Sequence, residues 1–435
     1  MVTPREAALM AIAAGRKSKA WPDAFLDNIV KKEKLDRRDA ALAYRMTYGV
    51  LQNMALCDYY ISHFSSIELN KIEPVVLDIL RLSVYQLAFL DRIPAHAAVS
   101  EGVELARKKS NPRAAGFVNA VLRKAASSGM PEIDEKDDIK YLSIKYSHPS
   151  WLVKLFLDEM GRDNCEKYLE ANNELVPIYA QVNTLKATRE QVLERLKADD
   201  INVTETPLGL ELVGSGNIEE IEAFKDGSIY IQDAAARLAV EAAGVKPGMN
   251  VLDGRAAPGG KSFAAAIMME NKGRILSRDI HEKKLKRIVR EGERLGISII
   301  DTEAMDARIY QEELSNAFDV IIADVPCSGL GVIRKKPDIR YKDGNSLGDL
   351  PEIQLDIQRN LSKYCKRGGI VLYSTCTVLS RENSGVVERF LAENDDFELE
   401  AFRTSVVNSD SGMITLYPHI HGTDGFFIAK LKRRK

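Results

Sequence analysis

The most reactive side chains in this 435-residue chain are five cysteines, at positions 57, 165, 327, 365 and 376. They are odd in number, scattered, and form no Cys-x-x-Cys pair, which argues against a disulfide framework and against a zinc site. That usage fits a reducing cytoplasm, where free thiols stay available as nucleophiles. Two of them have distinctive neighbours. Cys327 lies in DVIIADVPCSGLG, where an apolar run ends at Asp324 and Pro326 stiffens the turn that presents the thiol. Cys376 lies in GGIVLYSTCTVLS, again just past an apolar run. Thiols at strand ends are placed for nucleophilic or proton-transfer chemistry. A free thiol titrates near about 8.5, so either would need a lowered pKa to act at neutral pH. Cys57, Cys165 and Cys365 lack such a setting and read as small buried hydrophobes.

A second group of candidates could hold a ligand. VLDGRAAPGGKS follows a strand candidate and opens a helix. Gly259 and Gly260 let a ligand approach the backbone without a Cβ in the way, and the helix N-terminus beyond them favours a negative group such as a carboxylate. The segment lacks the GxxxxGK[ST] spacing and is not a P-loop, and it is not GxGxxG either, so dinucleotide binding is a poor match. Asp279, 26 positions after Asp253, ends the second strand candidate, where a carboxylate can accept both hydroxyl hydrogens of a ribose. Asp306 falls just beyond the third and could meet an adenine amino group. One acidic residue at a strand end is usually surface; Asp253, Asp279 and Asp306 in step with successive strands are harder to dismiss. His419 and His421 have no further ligand cluster near them, and no metal site is read from them.

These residues need elements to hold them. The length calls for two or three domains, and 45% hydrophobic with 29% charged residues is a globular composition. No stretch approaches the roughly 18 uninterrupted apolar residues of a membrane span, and MVTPREAALMAIAAGRK lacks the layout of a signal peptide. Residues 1–130 read as helix. Glu73–Leu90 places Val76, Leu77, Leu80, Val84, Leu87 and Ala88 on one stripe, and Ala97–Lys109 and Ala114–Ala125 follow, separated by the stop and cap Ser110-Asn111-Pro112. An acidic stretch at Pro131–Asp138 marks a boundary. Residues 131–236 then read as linker and a small α+β module: a strand in YAQVNTL, a helix at Arg189–Lys197 and a strand–turn–strand in INVTETPLGLELVG. From 237 to 435, strand candidates at Asn250–Asp253, Arg274–Ser277, Ser298–Ile300, Asp319–Ala323 and Ile370–Ser374 alternate with helical patterns such as Glu282–Leu295, and GFFIAKLK closes the domain as a last strand. Such alternation predicts a mostly parallel sheet with helices on both faces, which binds ligands at the carboxyl ends of its strands. Asp343–Leu350 reads as a mobile loop.

The motifs AAPGGK, DVPCSG and YSTCT, in this order and spacing, resemble the RNA 5-methylcytosine methyltransferases that carry two active-site cysteines. The helical start, with ILRLSVYQLAFLDRIPAHAAVSEGVELARK and AGFVNAVLRK, resembles a NusB-type RNA-binding bundle, and the middle module resembles a ferredoxin-like appendage. Together they narrow the resemblance, over nearly the whole chain, to the bacterial small-subunit rRNA methyltransferase B group. The resemblance implies a NusB-like bundle, a ferredoxin-like module and a Rossmann-like methyltransferase domain. It implies S-adenosylmethionine as cofactor, held by Arg255, Ala256, Ala257, Pro258, Gly259, Gly260, Lys261, Asp279, Asp306 and Asp324. It implies methylation of carbon 5 of a cytosine in 16S rRNA, cytosine 967 by the group's usual target, through a covalent adduct at carbon 6. Carbon 5 of cytosine is a poor nucleophile, and a thiolate adding at carbon 6 turns the ring into an enamine able to attack an activated methyl group. Cys376 takes the attacking role by resemblance, Cys327 the proton removal and release, and Asp324 holds the base at N3 and its amino group; Lys261 is expected close to Asp324. Typical members have Leu and Cys where this chain has Gly254 and Arg255, departures expected to alter cofactor affinity rather than the reaction. A paired target base would have to be unstacked, so a loop or opened helix is the expected substrate.

Residues 1–130 carry 19 Lys and Arg against 13 Asp and Glu, and the remainder 42 against 50, so the helical part is the basic one and suits a polyanion. Arg334-Lys335-Lys336 and the tail Lys432–Lys435 could also meet RNA phosphates. A cytoplasmic monomer with no membrane partner is expected. Two other readings remain: the same chemistry on tRNA or another rRNA, and a non-catalytic RNA-binding or antitermination factor. An amino-group methyltransferase would carry Asn/Asp-Pro-Pro-Tyr/Phe where this chain has Asp-Val-Pro-Cys.

Overall fold

The computed structural model describes residues 2–18, 22–213, 217–342, 344 and 348–435. The expected loop at 343–350 therefore lies partly outside the described residues. The chain forms two compact units, one of residues 1–174 with 336–344, the other of 175–335 with 345–435.

The first unit is helical: α1 (Pro4–Ser18), α2 (Asp23–Glu33), α3 (Arg37–Gln52), α4 (Met54–Phe64), α5 (Pro74–Phe89), α6 (Ala95–Lys109), α7 (Pro112–Ser128), α8 (Asp138–Tyr146) and α9 (Ser150–Ala171). Of the stripe expected on α5, Val76, Leu80 and Val84 are buried and Leu77, Leu87 and Ala88 only partly so. Ile79, Leu82 and Tyr85 outside it are buried as well, because α1, α3, α4, α6 and α7 all pack against this helix. Asn111 caps α7 by accepting the Ala114 N–H at 3.0 Å, with Pro112 at the first helical position, where its missing N–H costs nothing. The returning segment 336–344 belongs to this unit. It brings in Arg340, fully buried, whose guanidinium donates to the carbonyls of Gln52 and Ser147 and to Asn173 Oδ1.

The second unit begins with β1 (Ile178–Val182), α10 (Arg189–Ala198), β2 (Asn202–Thr206), β3 (Gly209–Val213), α11 (Glu222–Lys225) and β4 (Ile229–Ile231), whose strands form an antiparallel sheet in the order β2-β3-β1-β4. There follow α12 (Ala234–Ala243), β5 (Asn250–Asp253), α13 (Gly260–Met268), β6 (Arg274–Asp279), α14 (Glu282–Leu295), β7 (Ile300–Ala304), β8 (Phe318–Asp324), α15 (Leu350–Ser362), β9 (Cys365–Thr375), α16 (Ser384–Glu393), β10 (Phe397–Leu399), β11 (Phe402–Arg403), β12 (Asn408–Ser409), β13 (Met413–Leu416), α17 (Pro418–His421) and β14 (Phe426–Arg433). The main sheet runs β10-β14-β9-β8-β5-β6-β7, with β13 also paired to β14. β9, β8, β5, β6 and β7 are parallel neighbours, while β14 and β10 add antiparallel.

α14 spans the residues its periodicity indicates, burying Leu285, Ile288 and Leu295, and it ends at Gly296 in the left-handed conformation. The third strand differs from expectation. It runs Ile300–Ala304 rather than Ser298–Ile300, because β7 is the edge of the sheet, and an edge strand needs no continuous apolar run of the kind that marks β8. Sequence order reverses between β5 and β8, the switch point at which a doubly wound sheet opens a crevice.

Candidate active site

The crevice at the carboxyl ends of β5, β8 and β9 collects most of the candidate residues. β8 and β9 pair with Asp324 opposite Ser374, so the turns leaving the two strands lie side by side. Each carries one of the two thiols, and Cys327 Sγ and Cys376 Sγ stand 3.1 Å apart, both half-buried. The sulfur–sulfur hydrogen bond, then burial, pushes the Cys327 thiol well above its ordinary pKa. One proton shared between two close sulfurs is the physical content of that shift. The other three cysteines are wholly buried, and burial raises Cys165 to about 11 and Cys365 to about 12; they are inert.

Asp324 is held from two sides. Ser374 Oγ donates to its Oδ1 at 2.8 Å, and Lys261 Nζ lies 2.7 Å from its Oδ2. Burial pulls the Lys261 ammonium down, but the facing Asp324 carboxylate outweighs it and the net shift is upward, with Asp253 and Cys376 adding to it. A carboxylate has about four lone-pair sites, so Asp324, with its side chain 31% exposed, keeps acceptor capacity toward the crevice. Lys261 also sits over the Phe426 ring, 5.3 Å from its centroid.

The loop that carries Cys327 is tied back to the sheet through Gly331. Its N–H donates to the Cys376 carbonyl at 2.9 Å, and its own carbonyl accepts the Gly425 N–H at 2.8 Å. A Cβ on Gly331 would lie 1.9 Å from the Gly425 oxygen, so this approach requires glycine.

The ligand-holding candidates are on or beside the same crevice. Gly259, at φ +111°, turns the chain from β5 into α13, and Gly260 opens the helix. Of the rest of the segment, Arg255 and Pro258 are exposed, Ala257 is partly exposed and Ala256 is buried. Asp279 ends β6 and commits one oxygen to the His281 N–H at 2.9 Å. Asp306, two residues past β7, pairs with Arg308 at 2.7 Å. Asp253 does not join them. It is fully buried and accepts the Ser262 hydroxyl at 2.7 Å, and burial raises its carboxyl to about 6. Asp253 and Asp279 are thus both buried, and Asp306, past the edge strand β7, is half-buried.

Two basic residues are placed differently from expectation. Arg334 is buried against Asp424, and Lys335 bridges Asp233 and Asp424. Both are committed to internal ion pairs and are not presented to phosphates; Lys336 is exposed. Residues absent from the sequence reading include Ser374, which holds Asp324, and Asp424, whose place directly before Gly425 was the one available signal.

Comparison with known proteins decides the family. Residues 243–432 match the 16S rRNA methyltransferase RsmB/F family, residues 2–127 the NusB family and residues 148–219 the ferredoxin-like domain of RsmF/B-like methyltransferases. A Bacillus subtilis protein named as a probable ribosomal RNA small subunit methyltransferase B is 38% identical, covering 99% of this chain and 98% of its own length. The chain belongs to the RsmB/F family of 16S rRNA methyltransferases. A Synechocystis protein named in the same way is 30% identical over the full length of both chains. The solved structure of PH0851 superimposes with a TM-score of 0.81 at 26% identity, covering 100% of this chain and 99% of that one. A methyltransferase homologue from Pyrococcus horikoshii gives 0.60 at 26%, covering 69% of this chain and all of its own.

The methyl donor is S-adenosylmethionine, and the residues fit it. Gly260 opens α13 at a helix N-terminus suited to the donor's carboxylate, and Asp279 ends β6, where a carboxylate suits ribose hydroxyls. Among the described residues, no helix is long and apolar enough to cross a membrane.

Proposed function

We propose that this rRNA methyltransferase forms 5-methylcytosine in 16S rRNA through a covalent adduct between Cys376 and carbon 6 of the base, with cytosine 967 as its target. One observation carries the reading: two thiols 3.1 Å apart at the ends of adjacent parallel strands, beside the Lys261–Asp324 pair. A single nucleophile needs no second sulfur at that distance, whereas adduct chemistry needs one group to add and a base to undo the addition, and the second thiol is placed to be that base.

In this reading the Cys376 sulfur bonds to carbon 6, and the proton it shared with Cys327 passes to N3 of the ring and leaves Cys327 a thiolate. Asp324, oriented by Ser374 and Lys261, accepts hydrogen bonds from the protonated N3 and the amino group. S-adenosylmethionine supplies the methyl group that carbon 5 then attacks. Cys327, as thiolate, takes the carbon 5 proton; the electrons of that C–H bond re-form the ring double bond and expel the Cys376 sulfur. Gly259, Gly260, Lys261, Asp279 and Asp306 orient the donor, with the neighbouring Arg255, Ala256, Ala257 and Pro258 shaping the turn. The basic NusB-like part of the chain supplies phosphate contacts.

The test is methyl transfer from labelled S-adenosylmethionine to unmodified 16S rRNA by wild type, Cys376→Ala and Cys327→Ala, with products resolved on a denaturing gel. The expected result is 5-methylcytosine from wild type, no transfer by Cys376→Ala and a gel-stable RNA–protein adduct with Cys327→Ala. Methylation retained by Cys376→Ala would remove its role as nucleophile.

A further inference from the structure

Two fully buried side chains outside the residues assigned above grip the backbone on both sides of Cys327. Glu382 lies in the turn after β9, six residues past Cys376. Its Oε2 accepts the N–H of Ser328 at 2.9 Å and the amide of Gln354 at 2.9 Å. Gln354, on α15, donates through the same Nε2 to the carbonyl of Pro326 at 2.8 Å. The residues before and after the thiol are thereby fixed to one another and to the turn that follows Cys376. Ser328 adds a third tie through its hydroxyl to Thr377 Oγ1, 2.8 Å away.

The cost of this arrangement argues that it serves more than folding. Both side chains are wholly buried, and Glu382 Oε1 and Gln354 Oε1 have no hydrogen-bond partner among the described residues. A buried carboxylate supported only by neutral donors is expensive, and apolar residues of the same shape would fill the space more favourably. The Glu382 carboxylate also adds to the rise in the Cys327 pKa, after the hydrogen bond to Cys376 and burial.

We propose that Glu382 and Gln354 are positioning residues for Cys327, which hold its sulfur where it serves proton removal and release while leaving attack by Cys376 intact. This rests on the covalent reading above. Freed from the clamp, the turn at 326–328 would move by a fraction of an ångström or more, and misplacement on that scale costs on the order of 10–100-fold in rate. That loss would fall on the second half of the reaction, so adduct should accumulate.

Glu382→Met and Gln354→Met each remove the clamp while filling the same space; each is made in the full chain. Wild type, both variants and Cys327→Ala are compared on unmodified 16S rRNA for kcat, for KM of S-adenosylmethionine and for adduct on a denaturing gel. The expected result is a kcat lowered about 10–100-fold, an unchanged KM, and a gel-stable adduct in both variants as in Cys327→Ala. A merely structural role would lower cofactor binding and methylation together and build no adduct. Unchanged turnover, or lost methylation without adduct while Cys327→Ala still forms one, overturns the inference alone. If Cys327→Ala forms none, the covalent reading falls and the inference with it.

Discussion

Replacing Gly331 by alanine tests how closely the loop that carries Cys327 must sit against the sheet. The new Cβ would lie 1.9 Å from the Gly425 oxygen, 2.5 Å from the Gly425 carbonyl carbon and 2.8 Å from the Cys376 oxygen. Ordinary contact begins at 3.4 Å, so backbone must part from backbone by about 1.5 Å, the difference between 3.4 and 1.9 Å. Neither neighbour is a flexible side chain that could swing aside. The two hydrogen bonds through Gly331 stretch with that movement, at about 1 kcal/mol each. Overpacking adds about 1–3 kcal/mol, so the variant should lose about 3–5 kcal/mol. In a unit of this size each kcal/mol lowers Tm by about 2–4 °C, which places the fall at about 6–20 °C. Because the strain is applied between the two thiol-bearing turns, methyl transfer to 16S rRNA should drop by on the order of 100-fold even well below the melting range. Thermal melting and methyl transfer at a temperature where the variant is folded check both quantities. A Gly331→Ala protein with an unchanged Tm and full activity would refute the argument that these turns are held in contact through this residue.

The remaining predictions concern other charged or reactive groups. Burial raises the Asp253 carboxyl from 3.8 to about 6, so between those values the folded state binds more protons than the unfolded one and stability falls as pH rises. Above the folded value the cost approaches about 3 kcal/mol, and denaturation of Asp253→Asn should show a flatter pH dependence between pH 4 and 6 than wild type; parallel curves would count against it. The 3.1 Å separation of Cys327 and Cys376 should let a mild thiol oxidant such as diamide, itself reduced by two hydrogens, join them as a disulfide. Activity would then be lost and restored by dithiothreitol, and peptide mapping that finds no Cys327–Cys376 link would contradict this. Arg340→Met should destabilise the helical unit by about 3 kcal/mol or more, because it strands buried acceptors at Gln52, Ser147 and Asn173 at about 1–3 kcal/mol each. An unchanged urea midpoint would show that those groups find other partners.

What could be read along the chain was what short stretches of residues decide for themselves. α14 follows from its periodicity and from Gly296 at its end, the Asn111-Pro112 cap opens α7, and the apolar runs of β8 and β9 place Cys327 and Cys376 just beyond two strand ends. The mostly parallel sheet follows from strands and helices taken in alternation. These inferences hold because turn chemistry and side-chain period act over a few residues. Nothing within such a window measures the distance between two residues 49 positions apart. The β8–β9 register does, by setting Asp324 against Ser374 and bringing the sulfurs together. The same limit explains the misread charges. Asp253 was taken with Asp279 and Asp306 because all three fall at or near strand ends, yet Asp253 turns inward to Ser262. Arg334 and Lys335 look like a basic surface run until Asp233 and Asp424, far away in sequence, are folded against them. Whether a charge meets water, a counter-charge or a neutral donor depends on what the tertiary fold puts opposite it, and the same is true of Glu382 and Gln354 beside Cys327. Residue types and local spacing determined which chemistry was available, and non-local packing decided which groups share the crevice, since only the folded chain sets their distances.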